Sequence, residues 1–253
     1  MISTMQAKFK KALFTAGSIA FWILLWHIGA TLANKELLFK IPLPLDTLRE
    51  FFTCVKTFEF WDSVGTSLWH IVSGFVFAVI LGLFCGLLSG SSTFFATLTA
   101  PLTRLIRAVP VAAFIILAWL WIPSEIIPAF IAFLMVFPIV WSHVETGLLS
   151  VDKRLVEMAR VMGMDKKGII KNITIPSVMP QFRVSCITGL GYAWKSGVAA
   201  EVLCNPTGSI GAMLSQAKSN LDYSRVFAIV LMVVLLSFIL ENIIKFFWKE
   251  RTA

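Results

Sequence analysis

Charge is scarce in this chain. Asp, Glu, Lys and Arg make up 14% of its 253 residues, against roughly 25% in an average soluble domain. Hydrophobic residues reach 58% and the mean hydropathy is +0.84. A water-soluble fold of 28.2 kDa cannot hide that much apolar surface. Cytosolic globular enzymes and disordered or fibrous classes are excluded, and the composition reads as a polytopic membrane protein. The polar–apolar alternation of a membrane barrel is also missing, since residues 75–84 are apolar throughout. Helices are the remaining way to satisfy backbone polar groups in lipid.

Reactive chemistry is equally thin. The four cysteines, Cys54, Cys85, Cys186 and Cys204, form no C-x-x-C pair and no Cys/His cluster with metal spacing. Three of them sit in or beside apolar runs and read as small core residues, and no metal site is expected. The histidines, His27, His70 and His143, make no ligand pair. Ser142, His143 and Glu145 point in different directions on a helix, so they cannot form one catalytic face. No P-loop is present. The nearest approach, Gly163 to Gly168, is followed by Ile169 and Ile170 instead of the required Lys and Ser or Thr. No catalytic residue is assigned, and an enzyme is not expected. Internal repeats and low-complexity tracts are absent.

What the chain does have is six apolar runs, at about 13–33, 68–90, 98–122, 125–149, 177–203 and 225–247. Each is long enough to cross a bilayer as a helix. Lys8, Lys10 and Lys11 precede the first run as in a signal peptide, but its length favours an uncleaved span. With that end in the cytoplasm, inside segments hold 14 lysines and arginines, among them Lys8, Arg104, Arg107, Lys153 and Arg251. Outside segments hold 6: Lys35, Lys40, Arg49, Lys56, Lys218 and Arg225. Arg183 and Lys195, inside the fifth run, complete the 22. The bias puts both termini inside. It also explains the +8 net charge as topology, so no nucleic-acid partner is expected. Gly82, Gly86 and Gly90, four apart, predict a close helix–helix contact within the chain. Pro101, Pro110, Pro123, Pro128 and Pro138 predict kinks in the third and fourth spans.

The segment 150–176, placed in the cytoplasm, is polar but patterned. Leu155, Met158, Ala159 and Met162 share one helical face. Gly163 allows a turn, Asp165 can cap a second short helix, and Ile169, Ile170 and Ile173 make another apolar stripe. Pro176 marks the start of the next span. The pattern alone leaves two readings open: a loop packed on its own helix ends, or a surface that docks a partner. In the fifth run Lys195 lies about 12 Å from the nearer end, where an ionisable group is costly. It either lines a solute route or pairs structurally, with Glu201 or another helix. Tyr192, Trp194 and Ser196 beside it are route surface or packing, and Glu201 is a gate or an interfacial residue.

Glu157-Met158-Ala159, Gly163 and Ile173-Thr174-Ile175-Pro176 resemble the E-A-A-x3-G-x9-I-x-L-P signature of membrane subunits of binding-protein-dependent ABC importers. Met158 and Ile175 depart from it by apolar exchanges. Ile41-Pro42-Leu43-Pro44-Leu45-Asp46 and the 189–201 stretch GLGYAWKSGVAAE are similar to the nitrate/sulfonate/taurine branch of that family. The resemblance spans roughly 13–247. It implies an all-α permease fold with about six transmembrane helices and a cytoplasmic coupling helix, in one domain covering 1–253. Glu157, Ala159, Gly163, Met164 and Asp165 would engage an ATPase subunit. Lys195, Tyr192, Trp194, Ser196 and Glu201 would line the translocation pathway. The implied assembly is a second copy of the permease, two ATPase subunits holding ATP and Mg, and an extracytoplasmic binding protein. Its setting would be the plasma (inner) membrane of a prokaryote. The chain itself would hold no cofactor. The solute would be small and polar or anionic, moved by alternating access. The competing class is an ATP-independent secondary transporter or channel, which would lean on intramembrane carboxylates. The candidates, Glu125, Glu145 and Glu201, all fall near span ends.

Overall fold

A computed structural model describes the backbone of residues 2–35 and 41–249, with the side chains of 10, 13–35 and 41–246. The side chains of Lys8, Lys11, Lys40 and Arg251, used above for orientation, lie outside that set. Among the described residues the secondary structure is helical, with no strand. In chain order the helices are α1 (Ile2–Ala33), α2 (Pro44–Val55), α3 (Phe58–Ser91), α4 (Thr93–Ala108), α5 (Val111–Trp119) and α6 (Ile127–Leu149). They continue with α7 (Lys153–Val161), α8 (Lys166–Ile169), a π-helical turn (Ile170–Thr174), α9 (Ile175–Cys204), α10 (Ile210–Ser219) and α11 (Tyr223–Lys249).

Four helices are long and apolar enough to cross a membrane by themselves: α1 from Leu13, α3, α6 and α11. Two of the expected spans differ from this plain form. The run 98–122 is not one rod but α4 and α5, bent by 97° at their junction. The cause is local. Pro110 excludes the helical conformation at the residue before it, and Val109 is extended at φ −81°, ψ 131°. The run 177–203 is one continuous helix, α9, but it lacks the apolarity of a lipid-facing span, because Arg183, Lys195 and Glu201 lie within it. It can carry them because α3, α6, α10 and α11 pack around it, so little of it has to meet lipid.

The core is a three-helix seam. Gly74, Ala78, Gly82, Gly86 and Gly90 line α3 every fourth residue, and α6 lies against them in parallel. A β-carbon on Gly86 would stand 2.7 Å from the Trp141 carbonyl oxygen. One on Gly90 would stand 2.8 Å from Leu148 Cδ2, and one on Gly74 would overlap the Ala129 carbonyl. The expected small-residue contact is therefore internal to the chain. The buried Trp141 indole N–H donates to Ser89 Oγ at 2.8 Å across the same seam. On its other side α6 packs antiparallel to α9, with Gly147 against Val178 and Gly189 against Val136. The same crossing sets Gly197 of α9 against Ile71 of α3.

These contacts give the bundle two ends. One carries α7 and α8; the other carries α2 and α10. α1 stands apart, only 6% of its apolar window being buried. Its Trp26 stacks on Phe227 of α11 at 5.7 Å. All four cysteines are free, and Cys54, Cys186 and Cys204 are buried as small core residues.

Candidate functional site

At the α7 end, Asp152 caps α7 by accepting a hydrogen bond from the Arg154 N–H at 2.8 Å. The helix ends in a Schellman turn. Met164 N–H donates to the Ala159 carbonyl at 2.9 Å, and Gly163 N–H to the Arg160 carbonyl at 3.0 Å. This turn puts its next-to-last residue in the left-handed region, and Gly163 sits there at φ +78°. Asp165 then caps α8, its carboxylate accepting from Gly168 N–H at 2.9 Å.

The apolar face read from the sequence is present but is not used by this chain. Of Leu155, Met158, Ala159 and Met162, only Ala159 is buried. Met158 is 56% exposed, Met162 77% and the neighbouring Val161 88%. Glu157 is exposed on the same helix. With Arg160 it lines a groove of about 490 Å³ between α7 and the ends of α3 and α6. An apolar helix face thus stands exposed beside a carboxylate.

From Asp165 the chain does not break again. Backbone angles remain helical through α8, the π turn and into α9. Pro176 was expected to separate loop from span, yet the helix runs through it. Proline removes one N–H donor and crowds the preceding turn. The wider turn, closed by Ile175 N–H on the Ile170 carbonyl, makes room for it. The result is one rod of about 58 Å from Lys166 to Cys204.

Between Gln181 and Ala199 that rod presents a single exposed line: Gln181, Val184, Thr188, Tyr192, Lys195 and Ala199. Their steps of three and four residues place them on one face. Lys195 and Tyr192 are on it. Trp194, Ser196 and Glu201 are not, so the five residues grouped from the sequence separate onto two sides. Trp194 is fully buried and donates its indole N–H to the Val233 carbonyl at 3.0 Å. Ser196 is buried and returns its hydroxyl to the Tyr192 carbonyl at 2.8 Å.

Glu201 anchors the opposite end of the rod. It is fully buried, and its Oε2 accepts from Ser67 Oγ at 2.8 Å and from Gly211 N–H at 3.1 Å. Ser67 Oγ in turn accepts from Ile210 N–H at 2.9 Å. The carboxylate thus pins the first turn of α10 to both α9 and α3, where a helix N-terminus favours negative charge. Its Oε1 faces His70 Nδ1 at 3.8 Å, too far for a direct hydrogen bond. The alternative Lys195–Glu201 pair is not made: Lys195 stands on the exposed face of the helix and Glu201 on the buried one.

Ser67 and His70 were not legible as its partners, because they lie 134 and 131 positions away in sequence and no motif marks them. Gln181 and Thr188 were legible in principle through their spacing to Lys195. Polar residues fall on the other faces of the run as well, at Ser177, Arg183, Ser185 and Ser196, so that spacing has little contrast. Arg107, read as a topology signal, donates to the Pro138 carbonyl at 2.7 Å and ties α4 to α6. Among the described residues no Cys, His, Asp and Glu gather as a metal site.

The comparisons agree with this layout. Residues 78–250 match the family model described as binding-protein-dependent transport system inner membrane component. The taurine transport system permease protein of Escherichia coli is 25% identical, over 92% of this chain and 86% of its own length. The nitrate import permease protein of Synechocystis sp. is 26% identical, over 93% and 88%. A crystal structure of a bacterial ABC transporter that imports the acidic polysaccharide alginate superposes with a TM-score of 0.63 at 14% identity, covering 98% of this chain and 99% of that one. That likeness is one of fold. With a family match over more than half its length and apolar helices to span the bilayer, this chain belongs to the inner-membrane permease components of binding-protein-dependent transport systems.

Proposed function

We propose that the chain is the single-domain permease subunit of an ATP-driven importer, working as two copies with two separate ATPase subunits. Those subunits hold the ATP and Mg; this chain supplies no nucleotide chemistry. A binding protein delivers a small polar or anionic solute at the α10 end. The α7 end and both termini face the cytoplasm of a prokaryotic cell. The observation that carries the reading is the exposed face of α7, with Glu157 beside it, at the foot of a continuous rod that also bears Lys195.

Each part has a physical role. Glu157 offers a carboxylate to a basic group on the ATPase, and Met158, Val161 and Met162 offer apolar contact. Gly163, Met164 and Asp165 form the rigid turn that joins this surface to the rod. The line from Gln181 to Ala199 is the route wall, completed by the same line of a second copy. Lys195 gives that wall a positive charge, which suits an anionic group such as nitrate or the sulfonate end of taurine, the solutes named for two of the relatives. Trp194, Ser196 and Glu201 hold the wall in place from behind. The route opens alternately to either side as the ATPase pair closes and parts.

The decisive experiment is purification of the tagged chain from membranes in mild detergent, followed by ATP-dependent uptake in vesicles. A P-loop ATPase in equal copy number, together with uptake that stops without ATP, is the expected result. A chain that purifies alone and moves solute on an ion gradient overturns the proposal.

A further inference from the structure

The lipid-facing side of α3 carries a second site. Phe58, Trp61, Asp62, Gly65, Thr66 and Trp69 lie on one face of its first three turns and line a notch of about 500 Å³. The aromatic rings are open to the surroundings: Phe58 is 84% exposed, Trp61 52% and Trp69 75%. Trp61 is held in position. Its indole N–H donates to the Val55 carbonyl at 2.8 Å, and its ring meets the buried Phe60 edge-on at 5.3 Å. Gly65 leaves the floor open, since nothing lies within 4 Å of where its β-carbon would be. Asp62 is exposed at the rim. Aromatic faces around a carboxylate are the chemistry that recognises an ammonium group.

The same face continues downward as an apolar groove, also of about 500 Å³, past Ser73, Phe77, Ile126, Phe130 and Phe133. Gly65 and Ser73 are eight residues, or about 12 Å, apart along the helix. The polar layer of a bilayer leaflet is roughly 5–8 Å deep, so with the apolar groove set just inside the hydrocarbon the notch comes to headgroup level. Beyond it Ile80 and Phe84 extend the stripe, both exposed. A carboxylate on the lipid side of a span needs a partner cation, and tryptophans belong at this depth.

We propose that this face of α3 holds a phospholipid whose headgroup ends in an ammonium, such as phosphatidylethanolamine. The ammonium rests in the notch against Asp62, Trp61 and Trp69, and one acyl chain lies in the groove. Thr66 and the Trp69 indole supply hydrogen-bond donors for the phosphodiester. The site depends on the span assignment of α3 and not on transport.

The test uses the purified, delipidated transporter complex, titrated with phosphatidylethanolamine or phosphatidylglycerol and read by native mass spectrometry. Phosphatidylethanolamine binds in preference. Asp62→Asn and Trp69→Ala each cut that preference by roughly three- to tenfold, the range of a cation–π contact, with ATPase activity retained. Asp62→Lys reverses the preference toward phosphatidylglycerol, a gain that misfolding cannot mimic. Equal binding of both lipids to the unaltered protein, or an Asp62→Lys preference unchanged from it, overturns the proposal.

Discussion

Single residues carry separable tasks here, and substitutions can separate them. Gly163 is required by a backbone angle, φ +78°, and by resemblance it also lies where a partner comes close. Asparagine tolerates that angle but brings bulk. Gly163→Asn is therefore expected to fold and insert normally; ATPase retained on purification at the normal ratio would show that the turn alone matters, and its loss would show close contact. Glu157→Lys, on an exposed position, should leave insertion intact and abolish uptake. Lys195→Met should raise the solute concentration needed to stimulate ATPase; an unchanged profile removes Lys195 from the route. Glu201→Ala strips the Ser67 hydroxyl and the Gly211 N–H of their acceptor and should cost about 2–4 kcal/mol, measured as a lower melting temperature. Glu201→Gln, the same in shape, should recover most of it. Gly163 and Asp165 were legible in the sequence because capping is local chemistry. Glu201 was not, because its partners arrive from helices far along the chain.

Elements were more legible than residues wherever local rules decide them. The small residues at Gly82, Gly86 and Gly90 announced a close contact, and α6 supplies it. Valine at Gly86 would drive its side chain into Trp141 and Val144; folded protein recovered from the membrane should fall severalfold, while valine at Gly65, in open space, leaves yield unchanged. The proline at 110 announced a kink but not its size, since 97° depends on where α6 and α9 receive the two pieces. α9 was expected to be a span; it is one helix at the expected place, but it falls short of the apolarity of the other long helices. Its neighbours explain why it can also hold Arg183, Lys195 and Glu201, which is tertiary information. The π turn before Pro176 left no mark in the sequence, because a widened turn uses the same residues as an ordinary one.

For the whole molecule, the exposed line on α9 faces outward, so a route built on it, as proposed, needs a second wall. If a second copy completes it, cysteines placed singly at Thr188 or Tyr192 should crosslink between copies. Cysteine at Ile80, on the lipid side of α3, should not. Crosslinking yield that responds to nucleotide in the assembled transporter would tie the two faces to the ATPase cycle. The assembly was legible only by resemblance: composition established the bilayer, and nothing in composition counts copies.

Pro176, Pro180 and the π turn before them are the joints of this rod; with all three held helical, it swings as a whole. Its tightest three-way contact is at Gly189, where Val136 and Phe75 close in from two helices. Taking that contact as the fulcrum, the arm toward Lys166 is roughly 35 Å and the arm to Lys195 roughly 9 Å. The gearing is about four to one. A broad sweep at the foot then arrives at Lys195 as a movement about a quarter as large.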